Sequence, residues 1–196
     1  MLITIDGASG QGKSTVAQKL ADELHFEYID SGNLYRLLAL IYIQQGGKEG
    51  EVIDHGTLRK AIALFNGTNI TDCTQSQLRS DSITRQTSAI ARLPYVRKAI
   101  NEKIASQIQG KNAIIVGRDM CLIFPYADLK IVFRSSLSLR AKLQRINYNV
   151  SEKEAMERIA ARDRSEISIH YPADAIVIEL HEQSLEDLVV HITEMI

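Results

Sequence analysis

The fold of this chain is decided near its start, where residues 2–24 read LITIDGASGQGKSTVAQKLADEL. Residues 2–5 are apolar or β-branched and predict a buried strand. Further along, apolar residues recur at a spacing that places them on one face of a predicted helix: Val16, Ala17, Leu20, Ala21 and Leu24. Between strand and helix, residues 7–14 match the pattern GxxxxGK followed by Ser or Thr. Such glycines let successive backbone N–H groups and the helix N-terminus face an anion, so the stretch predicts a phosphate-binding loop.

Two side chains of this loop have distinct expected roles. Lys13 is expected to reach the β- and γ-phosphates of a nucleotide, and Ser14 to place its hydroxyl on Mg²⁺. The alternative is an ordinary glycine-rich turn, in which a lysine between strand and helix would have no packing role. We therefore expect nucleotide contacts from the whole loop: Gly7, Ala8, Ser9, Gly10, Gln11, Gly12, Lys13, Ser14 and Thr15.

The rest of the chain alternates short apolar runs with longer segments of helical period, which is typical of a parallel sheet with helices on both faces. The fold class is therefore α/β, with a five-stranded parallel sheet. The strands are predicted at residues 2–5, 27–29, 113–116, 129–133 and 175–178. Several of these runs are almost wholly apolar, as strands with two covered faces require.

Helix boundaries can also be predicted from the sequence. A helix over about residues 33–45 ends before Gly46 and Gly47, and Pro94 suits the first turn of another that continues to residue 108. Ser151 with Glu154 forms a capping box for a helix to about residue 162, and Ser184 is expected to cap the last helix.

A segment of about residues 51–88 interrupts the alternation of strands and helices. It holds a helix-like piece, a turn signal at Asn66-Gly67 and a polar stretch over residues 71–87. Because it has too few apolar residues to build its own core, we interpret it as an insert on the sheet rather than a separate domain.

Composition limits the partners that we expect. The chain has 23 Lys plus Arg against 24 Asp plus Glu, a formal charge of −1, so no nucleic-acid or membrane partner is expected. The longest apolar stretch, about residues 37–43, is far short of a membrane span, and we expect a cytoplasmic protein. The two cysteines and five histidines are scattered, which suggests neither a disulfide framework nor a zinc site.

Arginines supply a second signal, because their fixed fork of donors suits phosphate oxygens. Arg118 follows the strand at 113–116, where open α/β sheets bind ligands. Arg158 and Arg162 lie four residues apart on one predicted helix. Either the two arginines bind one anion together, or they lie on a solvated face where Glu154 pairs with Arg158. The chain lacks the NKxD and DxxG motifs, which counts against a GTPase and favours γ-phosphoryl transfer to a small acceptor.

Beyond these motifs, the chain resembles the bacterial cytidylate kinases, within the nucleoside monophosphate kinases. The opening ITIDGASGQGKST is similar to the first strand and phosphate loop of that family. The resemblance continues through Asp30-Ser31-Gly32 with Tyr35-Arg36, Ser88 with Leu93-Pro94 and Val96-Arg97, Gly117-Arg118-Asp119-Met120 with Phe124-Pro125 and Asp128, and Arg162-Asp163 with Pro172-Ala173-Asp174-Ala175. It spans nearly the whole chain, in the order and spacing of the family.

The resemblance implies a single kinase domain over residues 1–196, with an acceptor-binding insert at about 51–108 and a short lid at about 146–170. It implies that ATP with Mg²⁺ is the co-substrate and that Lys13, Arg118 and Arg162 are catalytic. The acceptor monophosphate and its surroundings are expected to be held by Ser31, Arg36, Arg118 and Arg162, and the cytosine to be read by Ser88, Arg97 and Asp119.

The chain departs from the family pattern in the lid, in the helix after the fourth strand and in the insert around residues 66–77, which is shorter than in the longer bacterial members. After Arg162-Asp163 the family usually continues with another Asp and a further Arg in a longer lid, whereas this chain continues Arg164-Ser165-Glu166-Ile167-Ser168. The family's RAxRR pattern is here Arg140-Ala141-Lys142-Leu143-Gln144, with Lys142 or Arg145 as candidate substitutes.

The leading hypothesis is a cytidylate kinase that transfers the γ-phosphoryl group of ATP to CMP or dCMP. Two alternatives stay open: a related small-molecule phosphotransferase with another acceptor, and a nucleotide-binding regulator with weak transfer activity. The expected partners are small-molecule nucleotides, and we expect a monomer in preference to a dimer.

Overall fold

The buried strand predicted at the start of the chain is present and extends to the first glycine of the loop, as β1 (Leu2–Gly7). The computed structural model describes residues 1–70, 73–148, 150–165, 170–181 and 184–196. In it the chain divides into two compact units: a first unit of residues 1–29 and 110–196, and a second unit of residues 30–109. The predicted insert at about 51–108 falls within the second unit.

Five strands form one sheet in the order β2-β3-β1-β4-β5. β1 pairs in parallel with both β3 and β4, and β4 pairs in parallel with β5. The predicted α/β fold with a five-stranded parallel sheet is confirmed. The remaining strands are β2 (Glu27–Asp30), β3 (Ala113–Val116), β4 (Leu129–Arg134) and β5 (Ile176–Glu179).

The helices of the first unit pack against this sheet and against one another. Ile3, Ile5, Ile131 and Phe133 form the centre of the core, and α1 adds its apolar face, as its periodicity predicts. The helices are α1 (Lys13–Leu24), α7 (Met120–Ile123), α8 (Leu137–Tyr148), α9 (Glu152–Ser165) and α10 (Leu185–Thr193). Both predicted caps form: Ser151 Oγ accepts from the N–H of Glu154 (3.2 Å), and Ser184 Oγ accepts from the N–H of Asp187 (3.0 Å).

Among the described residues, no strand pairs with the outer side of β5. β5 is the last strand in the order, and Ile176 and Val177 are 39% and 40% exposed. The side chain of Arg134 on β4 lies 3.8 Å from that of Glu179 on β5, so the carboxyl end of this edge carries charge.

The second unit is helical and is built around α2, whose residues Leu37, Leu38 and Tyr42 are almost fully buried. α3, α4, α5 and α6 each contact α2. These helices are α2 (Ser31–Gln44), α3 (His55–Gly67), α4 (Gln75–Leu78), α5 (Asp81–Ile90) and α6 (Pro94–Ile108). In the described part of the chain, no helix has the length and apolar character needed to cross a membrane.

Two features of the second unit were not resolved by the sequence patterns. Asn66-Gly67 is the end of α3 rather than a separate turn, and the polar stretch 71–87 contains helical residues of α4 and α5. α5 is stabilised by a cap, because Ser80 Oγ accepts from the N–H of Ile83 at 3.4 Å, and by burial of Ile83, Gln86 and Ile90. Residues 71 and 72 lie outside the described residues.

Candidate active site

The phosphate loop follows a path that only glycine permits at its first turn. Gly7, Gly10 and Gly12 have φ values of +140°, +84° and +73°. A Cβ at Gly7 would lie 2.6 Å from the backbone oxygen of Phe133, closer than such atoms approach. The glycines of the motif therefore let the backbone curve tightly at the end of β1 and enter α1.

The N-terminus of α1 opens onto this loop. Its N-cap residue is Gly12, which has no side chain to satisfy the first N–H groups of the helix. Lys13 is half-buried, and its Nζ donates a 2.7 Å hydrogen bond to the backbone oxygen of Ala8, across the loop. The partial positive charge of the helix N-terminus and the ammonium group of Lys13 both attract an anion, so this geometry suits a polyphosphate.

These residues fit a nucleoside triphosphate with Mg²⁺. The loop backbone packs closely against α8, since a Cβ at Gly10 would lie 3.3 Å from Nε2 of Gln144, and glycine there keeps the loop in its curved path. Ser14, half-buried in the first turn of α1, supplies the kind of oxygen ligand that Mg²⁺ prefers. Ser9 and Gln11 are buried within the loop, and Thr15 is exposed.

A second loop begins at the carboxyl end of β3, the strand beside β1. It contains Gly117, Arg118 and Asp119, and the N–H of Gly117 donates to the backbone oxygen of Ile5 at 3.1 Å. Arg118 and Asp119 are half-buried. Because the carboxyl ends of parallel strands meet at one edge of a sheet, the structure brings these two predicted residues to the same edge as the phosphate loop.

Asp6 holds this second loop in place, a role that the sequence analysis missed. Its carboxylate is fully buried and accepts from the N–H groups of Met120 (2.9 Å) and Cys121 (2.8 Å). Burial raises the pKa of Asp6, while the hydrogen bonds from Cys121 and Met120 oppose the rise. A carboxylate inside an otherwise apolar strand was the available signal, since buried charges require partners.

A tyrosine just after the predicted lid also contacts this loop. The hydroxyl of Tyr171 donates to the backbone oxygen of Arg118 at 3.0 Å. The sequence analysis missed this residue as well, because no periodicity connects positions 53 residues apart.

The remaining acceptor residues lie in the second unit. Ser31 is buried at the start of α2, Arg36 is half-buried one turn later, Ser88 lies on α5 and Arg97 on α6. Since α5 and α6 both contact α2, the structure places these four residues on three helices of one cluster. The start of α2 is fixed by Asp30, whose Oδ1 accepts from the N–H of Asn33 at 3.3 Å.

The predicted lid, about residues 146–170, is largely helical where the structure describes it. Arg158 pairs with Glu154 at 2.9 Å, which is the solvated-face alternative for that arginine. Arg162 lies on α9, but its side chain is outside the described residues, as are residues 149 and 166–169.

The sequence profile of the family described as cytidylate kinase matches residues 3–196. The chain belongs to the cytidylate kinase family. The family inferred from the sequence is therefore confirmed, and with it an ATP-dependent nucleoside monophosphate kinase.

Curated relatives agree with this assignment along nearly the full length. The chain is 31% identical to the cytidylate kinase of Parabacteroides distasonis, over 95% of this chain and 92% of the relative. It is 31% identical to that of Mycoplasmopsis synoviae, over 99% and 97%, and 30% identical to that of Chlamydia caviae, over 100% and 98%.

Solved structures support the fold alone. A Eubacterium ventriosum protein matches with a TM-score of 0.58 at 13% identity, over 100% of this chain and 97% of that one. A Thermus thermophilus protein matches with a TM-score of 0.54 at 17% identity, over 100% and 95%. Identities this low carry no inference about substrates.

Proposed function

We propose that the protein transfers the γ-phosphoryl group of ATP to CMP or dCMP, giving CDP or dCDP and ADP. The observation that carries this proposal is the pairing of β1 with β3. Ile5 is in register with Val116, so the strand that ends in the phosphate loop lies beside the strand that ends in Gly117-Arg118-Asp119. The phosphate loop, which would hold the phosphoryl donor, thus lies at the same end of the sheet as Arg118 and Asp119.

The transfer needs position and charge rather than a covalent intermediate. An oxygen of the acceptor monophosphate attacks the γ-phosphorus, the bond to the β–γ bridging oxygen breaks, and ADP leaves with those electrons. Lys13 and Arg118 stabilise the negative charge that spreads over the transferred group. Lys13 must then exchange its bond to the Ala8 carbonyl for phosphate oxygens. Ser14 would hold Mg²⁺, which supplies further charge neutralisation at the β- and γ-phosphates.

Acceptor choice is proposed to come from residues that suit the cytosine edge. Cytosine presents an exocyclic amine beside a ring nitrogen and a carbonyl, so the carboxylate of Asp119, the hydroxyl of Ser88 and the guanidinium of Arg97 are a complementary set. Ser88 Oγ now donates to the backbone oxygen of Thr84 at 3.2 Å, which leaves its lone pairs to accept from a ligand. An unmatched base would leave such groups unpaired, which is how a small pocket rejects analogues.

The acceptor phosphate is proposed to be held by Ser31, Arg36, Arg118 and Arg162. Arg162 follows from the family resemblance, with α9 as its position in the chain. Exclusion of water by closure of the lid would protect ATP from hydrolysis.

The test is ADP release from Mg-ATP by the purified protein, with no acceptor or with CMP, dCMP, UMP, AMP or GMP. We expect strong stimulation by CMP or dCMP alone. Stimulation by none of them while ATP still binds would overturn the proposal and favour a regulator. Stimulation by another acceptor class would favour the alternative phosphotransferase.

A matched pair of lysine variants assigns the chemistry to the loop. Lys13→Ala should lower kcat on the order of a hundredfold or more. Lys19→Ala is the control, because Lys19 lies on the same helix and its Nζ pairs with Glu186 at 2.7 Å, on the surface. Turnover of Lys13→Ala within a few fold of Lys19→Ala would contradict the role of Lys13.

A further inference from the structure

One buried arginine joins three parts of the first unit. Arg140 lies on α8, and only 8% of its side chain is exposed. Its Nε donates to the backbone oxygen of Ser9 in the phosphate loop at 2.8 Å. Its two terminal nitrogens donate to the carboxylate of Asp163 on α9, at 2.9 and 2.7 Å.

The geometry explains why an arginine is required here. A guanidinium has a fixed fork for a carboxylate and an additional N–H at Nε, so one side chain serves both contacts at once. A lysine carries a single ammonium and cannot reproduce the planar fork. Burial makes an unsatisfied guanidinium costly, and the three bonds engage all three of its nitrogen atoms.

Arg140 bridges Ser9 and Asp163, and these two partners matter for different reasons. Ser9 lies between Gly7 and Gly10, so its carbonyl fixes the direction of the neighbouring N–H groups. Asp163 follows Arg162 directly on α9, so its position sets the position of that helix turn. Asp163 is 40% exposed on its side chain, so water can replace Arg140 at that end without leaving a buried charge there.

We propose that Arg140 is a positioning residue: it couples the shape of the phosphate loop to the placement of α9 through Ser9 and Asp163. The part of this inference that concerns turnover depends on the proposed function. The part that concerns ATP binding and the mobility of α9 does not.

The test uses Arg140→Met, Asp163→Asn and the double variant in the full chain. Arg140→Met loses both contacts, so the Kd for Mg-ATP, measured with a fluorescent ATP analogue and no acceptor, should rise on the order of tenfold or more. Asp163→Asn keeps the Ser9 contact, so its Kd should stay within about threefold while kcat falls several fold and amide hydrogen exchange in α9 becomes faster. If the bridge acts as one unit, the double variant should bind ATP no worse than Arg140→Met.

A second ion pair between the same helices provides the control. Arg145 on α8 lies 3.6 Å from Glu152 on α9, and both side chains are exposed. Glu152→Gln should leave Kd, kcat and exchange in α9 at wild-type values. If Arg140→Met does not fold, Arg140→Lys replaces it, with an intermediate rise in Kd expected.

The proposal is overturned if a folded Arg140 variant binds Mg-ATP with wild-type affinity, or if Asp163→Asn matches Glu152→Gln in hydrogen exchange. It is also overturned if the double variant binds Mg-ATP clearly worse than Arg140→Met, because Asp163 would then act on the loop by a route other than Arg140. A wild-type protein that binds ATP but transfers to neither CMP nor dCMP would defeat the proposed function and leave the binding and exchange comparisons intact.

Discussion

The backbone N–H of Cys121 donates a 2.8 Å hydrogen bond to Oδ2 of Asp6, which lies 115 residues earlier in the chain. The other carboxylate oxygen accepts from Met120, so Asp6 caps the first turn of the short helix α7 from the neighbouring strand. The loop that carries Arg118 and Asp119 is thus fastened directly to the strand that carries the phosphate loop.

Replacement of Asp6 should be costly. In Asp6→Asn the amide retains one acceptor oxygen and turns an NH₂ group toward a backbone N–H, so we expect a loss of about 1–3 kcal/mol in the free energy of unfolding. Urea denaturation measures it. Asp128→Asn is the control: Asp128 accepts a single N–H, from Leu2 at 2.7 Å, and an amide oxygen replaces it. Equal losses in the two variants would contradict the bidentate role of Asp6.

The pH dependence of that loss has a defined sign. Burial raises the pKa of Asp6 above its ordinary value of 3.8, so the folded state binds the proton more tightly than the unfolded state. The contribution of Asp6 to stability is therefore largest below its ordinary pKa and decreases as pH rises through the raised folded value. The difference in the free energy of unfolding between wild type and Asp6→Asn should therefore become smaller as pH rises from the ordinary pKa of 3.8 through the raised folded pKa.

The thiol of Cys121 should be inert in the native protein. Burial, reinforced by the adjacent Asp6 carboxylate, raises the pKa of Cys121 to about 12, and the residue is fully buried. Near pH 8 a thiol-specific reagent should therefore label Cys73 alone, with Cys121 reacting only after denaturation. Mass spectrometry of the labelled peptides checks this. Labelling of native Cys121 at the rate of Cys73 would show that the second loop opens readily.

A lysine inside the sheet gives an asymmetric prediction. Lys130 on β4 is 9% exposed on its side chain, and its Nζ pairs at 2.5 Å with Asp174, which is 63% exposed. Asp174→Asn leaves a buried ammonium without its counterion, whereas Lys130→Met leaves a carboxylate that water can hydrate. We therefore expect a larger drop in Tm for Asp174→Asn than for Lys130→Met.

Acid should remove the effect of that pair. The hydrogen bond from Lys130 lowers the pKa of Asp174 below its ordinary 3.8, so its contribution is present above that value and is lost as pH falls through the lowered folded value. The Tm difference between wild type and Asp174→Asn should shrink in the same interval. A difference that persists at still lower pH would assign the effect to packing.

Tyr171 offers a clean test of the second loop. Tyr171→Phe removes the hydroxyl that donates to the Arg118 carbonyl and keeps the ring. We expect the KM for CMP to rise several fold, since a misplaced Arg118 weakens acceptor binding, while the KM for ATP changes little. Steady-state kinetics with each substrate varied in turn measures both. Equal changes in the two KM values would point to a general loss of order instead.

Local sequence patterns predicted the parts of this molecule that local forces decide. In residues 7–14, glycines that adopt positive φ values lead directly into the first turn of α1. β3 and α6 have the predicted bounds because their apolar patterns are uninterrupted. α5 was not predicted as a helix, since much of its stability comes from packing a polar segment against α2. Gln86 is buried there although a glutamine on a short polar segment indicates exposure.

The site divides in the same way. The loop lysine and the arginine after β3 belong to motifs, and sequence indicated both. Asp6, Arg140 and Tyr171 act through contacts between residues 23 to 131 positions apart. Such contacts arise from the strand order and the helix packing, which a single sequence does not encode as a repeated pattern.

The open edge at β5 has a consequence for the handling of this protein. An edge strand presents unpaired backbone N–H and C=O groups with which an extended segment of another chain can pair. Here the exposed apolar side chains of Ile176 and Val177 favour such pairing. The edge is four residues long, and the carboxylates near its two ends are paired within the chain, Asp174 with Lys130 and Glu179 with Arg134. Because the formal net charge is only −1 at pH 7 and the isoelectric point is about 6.5, repulsion between copies is weak near neutral pH, and colloidal stability should improve as pH rises above neutrality.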